Sequence, residues 1–113
     1  MKVAFFGSPA IALPALNGLI QAGHDIKLVI TQPDRPAGRG KKLTPPPVKV
    51  FAQDHGLPCL QPEKIRRDEQ VLEALKQAEP EVNVVVAYGQ IIPASIIYLP
   101  PFKTLNVHFS LLP

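Results

Sequence analysis

Cysteine is nearly absent: Cys59 is the single one in 113 residues. No internal disulfide can form, which fits a reducing, cytoplasmic setting. Cys59 sits in the apolar context LPCLQP, with nothing nearby to lower its pKa. It is expected to be a buried small hydrophobe and not a nucleophile. There is no HxxxH pair and no Cys/His cluster, so no metal is expected. Long apolar runs are missing too. GSP at 7–9 and Pro14 divide the amino-terminal apolar stretch into VAFF and a later segment. Each piece is too short for a signal-peptide core or a membrane span, and no membrane partner is expected. The first strand–helix turn, GSPAIALP, lacks the G-x-G-x-x-G pattern that lets a backbone approach a pyrophosphate. It has Gly7 alone, followed by Pro9, and there is no P-loop. A nucleotide-binding domain is therefore disfavoured, and a tight structural turn is the simpler reading.

What is present is enough for one small globular domain. Apolar residues make up 46 % of the chain, so disorder is not the default. The 14 prolines are dispersed as punctuation and do not form PxxP repeats. KVAFFG (2–7), IKLVIT (26–31) and VNVVVA (82–87) read as buried strands bounded by turn residues. Ala12, Leu16, Leu19 and Ile20 recur at helical spacing, with Pro14 near the helix start and Gly23 as the expected cap. RDEQVLEALKQA (67–78) is amphipathic, with Val71, Leu72 and Leu75 inward. VKVFAQDHG (48–56) reads as a short helix, PCL as a brief extended piece, ASIIYL as one helical turn and TLNVHFS (104–110) as the last strand. Residues 32–47, QPDRPAGRGKKLTPPP, are expected to be a loop without regular structure. The order predicts a Rossmann-like α/β fold: a mostly parallel sheet with helices on both faces. In such sheets ligands bind beyond the carboxyl ends of the strands. The tips at Gly7, at AYGQIIP and at NVHFS meet there.

Charge is uneven. The net value is +3, yet residues 31–50 carry five bases, Arg35, Arg39, Lys41, Lys42 and Lys49, against Asp34, a local +4. The remaining seven bases and eight acids give −1. Such a loop is either a solvated, proline-stiffened connection or a polyanion contact. Arg35, Arg39, Lys41 and Lys42 can neutralise several phosphates, and the absence of aromatics argues against base stacking.

Side chains alternate along a strand, so Asn106, His108 and Ser110 share one face of the last strand. Leu105, Val107, Phe109 and Leu111 share the other. The polar face is either exposed to solvent or set at a cleft of a sheet covered on both sides. In a cleft, an Asn amide can donate to a developing oxyanion and a neighbouring His can move the proton of an attacking amine. That pair suits acyl-type transfer without a covalent intermediate. His24 and His55 are expected at the surface.

TQPDRPAGRGKKLTPPPVK, VVVAYGQIIP and LNVHFSLLP together closely resemble the amino-terminal part of the methionyl-tRNA formyltransferase family, and FFGSPAIALPAL fits its first strand and helix. The resemblance covers the whole chain. It implies transfer of a formyl group from 10-formyltetrahydrofolate to the α-amine of methionine on initiator tRNA, in translation initiation in the cytoplasm. By that resemblance Asn106 polarises the formyl oxygen, and His108 takes part in the proton transfers. Ser110, Leu111, Leu112 and Pro113 line the folate site. Gln90, Ile91 and Ile92 hold the pterin end, mainly through the backbone. Arg35, Arg39, Lys41 and Lys42 grip the tRNA acceptor arm from a basic inserted loop at 32–47.

The family pattern continues past Pro113 with a catalytic Asp, more of the folate pocket and a carboxy-terminal β-barrel. Residues 1–113 thus correspond to the amino-terminal portion of the catalytic domain, and alone they are expected to be inactive or nearly so. The resemblance also implies a monomeric full-length protein, while an exposed sheet edge would invite self-association of this span. The alternatives are a sibling enzyme formylating a small amine, such as a ribonucleotide or amino sugar, and a non-catalytic folate- or RNA-binding fragment.

Overall fold

The structure, a computed structural model, describes residues 1–108. Strands β1 (Lys2–Gly7), β2 (Asp25–Ile30), β5 (Cys59–Leu60), β6 (Val82–Val86) and β7 (Thr104–Val107) form one sheet in the order β5-β2-β1-β6-β7. Every pairing in it is parallel. The chain winds outward from β1 in one direction and then restarts at β6 on the other side. That reversal places a topological switch point between β1 and β6, at whose carboxyl ends a crevice opens.

Alternation along the strands divides the core in two. Phe5, Val29, Val84 and Val86 face α1 (Leu13–Gln21) and α2 (Pro47–Asp54), where Leu16, Val48 and Ala52 meet them. Phe6, Ile30 and Val85 face the opposite layer, α3 (Glu69–Ala78) and α4 (Ala94–Ile97), through Val71, Leu75 and Ile96. Each large side chain fully buried this way contributes about 1.5–3 kcal/mol. Pro14 lies in the first turn of α1, where a missing N–H costs nothing, and Gly23 follows the helix with φ 88°. Asp68 caps α3 by accepting from the Val71 N–H at 3.0 Å. At the tip of β1 the backbones close up: a Cβ on Gly7 would lie 2.7 Å from the Val86 carbonyl oxygen.

Several expectations change. Residues 32–47 are not devoid of regular structure, because β3 (Arg35–Ala37) and β4 (Lys42–Thr44) pair antiparallel as a separate hairpin. The proline that argued against a strand, Pro36, is tolerated because a two-stranded ribbon consists only of edges. The glycines make the turn, Gly38 at φ 71° and Gly40 at φ 85°, with Lys41 also left-handed at φ 50°. The second change concerns β7. Val107 packs on the core as expected, but Leu105 is 58 % exposed. β7 is the edge strand beside β6. The expectation of cover on both faces therefore does not hold at Leu105. Phe109, Ser110 and Leu111, assigned to faces of this strand, lie outside the described residues. Cys59 is half-buried, and burial raises its thiol pKa. His55 is exposed as expected and stacks on Phe51, whereas His24 is only half-exposed and lies 3.0 Å from the chain's first nitrogen.

Candidate active site

β7 ends beside β6 with Asn106 opposite Val85 and Val107 opposite Val86. In a parallel pair, opposed residues share a face, so Asn106 joins Val85 on the α3/α4 side while Val107 turns to the other core. Asn106 and His108 line one cavity of about 490 Å³ together with Ile11, Ala87, Tyr88, Gly89 and Gln90. Both residues are exposed among the described residues. The cavity lies at the carboxyl ends of the strands. Another concavity of about 510 Å³, lined by Lys2, Glu81 and Pro101, lies at the amino ends, where such sheets do not bind ligands.

The wall opposite Asn106 and His108 is the turn after β6. Ala87 has φ 52°, a left-handed conformation that costs a non-glycine residue about 1–2 kcal/mol. Gly89 follows at φ 94°. Tyr88 turns inward between them, and its ring meets Phe6 edge-on with centroids 5.8 Å apart. Its hydroxyl has no hydrogen-bond partner among the described residues. Burial, with a smaller effect from Asp68, pushes its pKa up, so the phenol stays neutral. Gln90 is wholly engaged in structure: its side chain accepts from the Ile65 N–H at 2.8 Å and donates to the Pro62 carbonyl at 3.0 Å and to Gln32 Oε1 at 2.8 Å. Ile91 is 81 % exposed and Ile92 half-buried against the core. With the Gln90 side chain so occupied and Gly89 having none, this turn offers the cavity mainly backbone groups.

The hairpin springs from the same corner. Asp34, just before β3, accepts from Gln61 Nε2 at 2.7 Å and from Lys49 Nζ at 3.1 Å. The Gln61 hydrogen bond, then the Lys49 partner, hold its carboxyl below the usual range. Lys49 and Asp34 thus cancel, leaving Arg35, Arg39, Lys41 and Lys42 as the hairpin's net charge. All four are exposed. Among the described residues Arg35 has one distant carboxylate, Glu63 at 4.0 Å, and the other three form no ion pair.

The chain is similar to known proteins in sequence and in fold. The sequence pattern of the formyl transferase family matches residues 1–113, the whole chain. The chain belongs to the formyl transferase family. It is 54 % identical over 113 residues to the methionyl-tRNA formyltransferase of Chloroflexus aurantiacus and 51 % identical to that of a Sulfurihydrogenibium species. In both cases all of this chain aligns with 36 % of the relative, so it spans about a third of their length. Among solved structures, glycinamide ribonucleotide transformylase 1 of Geobacillus kaustophilus matches with a TM-score of 0.68 at 21 % identity, over 98 % of this chain and 59 % of that one. The phosphoribosylglycinamide formyltransferase of Bacillus halodurans matches at 0.67 and 20 %, over 100 % and 58 %. At such identities the likeness concerns the fold.

The formyl transferase fold thus brings Asn106, His108 and Gln90 to one cavity and puts Arg35, Arg39, Lys41 and Lys42 on the hairpin beside it. Ser110, Leu111, Leu112 and Pro113 lie outside the described residues. Sequence reasoning missed Ser8, Gln32 and Gln61. Ser8 Oγ donates to the Tyr88 carbonyl at 3.2 Å and accepts from the Gln32 N–H at 2.9 Å, tying the tip of β1 to both flanking segments. The available signal was polar side chains directly following buried strands, in GSP and TQPD. Among the described residues no group of three or more His, Cys, Asp and Glu could hold a metal, and no helix is long and apolar enough to cross a membrane.

Proposed function

We propose that residues 1–113 form the amino-terminal portion of the catalytic domain of a cytoplasmic enzyme. It transfers a formyl group from 10-formyltetrahydrofolate to the α-amine of methionyl initiator tRNA. The observation carrying this reading is the meeting of Asn106 and His108 with the Tyr88–Gln90 turn around one cavity. Its volume, about 490 Å³, is in the range of ordinary small-molecule sites. A wall of backbone groups suits the amide-like edge of a pterin, which Gln90, Ile91 and Ile92 would hold. Ser110, Leu111, Leu112 and Pro113 would extend the same site.

When bound, the folate supplies an activated formyl carbon. Asn106 would direct its amide N–H groups at the formyl oxygen, where negative charge develops as the amine attacks. His108 would take the proton the attacking amine must lose, and the bond from the formyl carbon to N10 of the folate would break, with that nitrogen taking up the proton. A donor placed where charge develops is worth about 10²–10³ in rate, and a placed base about 10²–10⁴. Arg35, Arg39, Lys41 and Lys42 would hold the acceptor arm of the tRNA through its phosphates.

The basic hairpin also separates this reading from a sibling enzyme acting on a ribonucleotide or amino sugar, because a small amine gives four exposed bases little to bind. The deciding experiment places residues 1–113 in the matching span of the Chloroflexus aurantiacus protein. Charged initiator tRNA, a ribonucleotide amine and an amino sugar are then assayed with 10-formyltetrahydrofolate. Preference for a small amine would overturn the reading. Residues 1–113 alone should show little transfer, and β7 should promote their self-association, in contrast to a monomeric full-length protein; sedimentation measures the latter.

A further inference from the structure

Two parts of the molecule given separate tasks above are joined through one side chain. Gln32 Oε1 accepts from Gln90 Nε2 at 2.8 Å and from an Arg35 Nη at 3.4 Å. Gln90 belongs to the cavity turn, and Arg35 opens the basic hairpin. A carbonyl oxygen has two lone pairs, so it can hold both donors at once. The backbone of Gln32 is fixed at both ends: its N–H donates to Ser8 Oγ at 2.9 Å, and its carbonyl accepts from Gln61 Nε2 at 3.1 Å. A second observation concerns shape. A Cβ on Gly89 would lie 2.7 Å from Gln32 Nε2, so the cavity turn packs directly against this side chain.

We propose that Gln32 is a positioning residue that couples the cavity turn to the basic hairpin, so that a ligand held by the turn and a polyanion held by the hairpin strengthen each other's binding. This rests on the function proposed above. A ligand seated against residues 88–90 fixes that turn, which fixes Gln32 through contact and hydrogen bond. The root of the hairpin is then ordered before the tRNA arrives. Linkage makes the effect reciprocal, and couplings of this kind are typically about 5- to 150-fold.

The test uses the same graft into the Chloroflexus aurantiacus protein. The Kd for methionyl initiator tRNA is measured with and without saturating tetrahydrofolate, which cannot transfer a formyl group. Tetrahydrofolate should tighten tRNA binding by about 5-fold or more. Gln32→Leu keeps the volume, removes the shared acceptor and should bring the ratio to about one, while thermal unfolding and each separate Kd move less than the ratio does. Gln32→Glu retains an acceptor oxygen for both donors and should keep the coupling. A ratio of one or below in the parent graft, or the same ratio in Gln32→Leu, overturns the inference even when both ligands bind and transfer proceeds. If the parent graft binds neither ligand, the function proposed above fails first, and this inference falls with it.

Discussion

The five-stranded sheet and the basic hairpin are both β-structure, yet different physics holds each one. In β1 every residue after Lys2 is buried, and the register is enforced by two apolar cores. In β3 and β4 every residue is exposed, and an isolated two-stranded ribbon is marginal in water. Its placement comes from a glycine turn at one end and from Asp34, Lys49, Gln61 and Gln32 at the other. The sheet therefore carries stability and resists substitution. The hairpin can present charge to a partner at little cost to the fold, and the cavity lies where the two meet.

The sharpest way to test that division is at the cavity. In the grafted enzyme, Asn106→Ala should lower kcat about 10²–10³-fold and His108→Ala about 10²–10⁴-fold, while thermal unfolding stays within about 1 °C because both side chains are exposed. Steady-state kinetics beside calorimetry reads both; near-parental kcat would remove them from the chemistry.

A matched pair of glycine substitutions comes next. Gly7→Ala forces a methyl against the Val86 carbonyl oxygen and should destabilise the chain by about 1–3 kcal/mol in urea unfolding. Gly38→Ala meets open space, and only its φ of 71° is strained, so the hairpin turn should loosen locally with about 1 kcal/mol or less lost globally. Equal losses at the two positions would contradict the division.

Smaller again is the charge effect. Lys42→Ala should leave the unfolding midpoint unchanged, weaken tRNA binding, and reduce the slope of log K against log salt by about 0.7–0.9. An unchanged slope would mean that Lys42 meets no phosphate. The smallest effect concerns pH at the hairpin root. The carboxyl of Asp34 has a folded pKa below its ordinary 3.8, so its contribution is present above that value and is lost as pH falls through the lowered one. Amide protection in β3 and β4, corrected for the intrinsic rate at each pH, should fall in acid before that of β1 and β6, and Asp34→Asn should abolish the difference in pH response.

The parallel sheet was legible because period and punctuation agree. VAFF, KLVI and VNVVV are too apolar to be half-exposed, and the turn residues between them leave room only for crossovers. The alternation that put Asn106 and His108 together is equally local, and the structure keeps them together. The hairpin was not legible, since Pro36 and the flanking glycines read as interruptions until it is seen that both strands are edges. Leu105 was misjudged for a related reason. Apolar identity signals a tendency to bury, whereas exposure at an edge strand depends on what lies beside it.

By itself the sequence determined the fold class, the crevice at the strand tips, the closeness of Asn106 and His108, and the cluster of positive charge. Each follows from interactions within a few residues along the chain, where spacing translates directly into geometry. Only the tertiary structure decided that Lys49 is neutralised by Asp34, that Gly7 must lack a side chain, and that Gln32 stands between Gln90 and Arg35. Apart from Gln32 and Arg35, which are three positions apart, those contacts join residues that the chain separates by 15 to 79 positions, as Lys49 from Asp34 and Gly7 from Val86. No local pattern encodes them, because they arise when strands distant in sequence end at the same corner of the sheet.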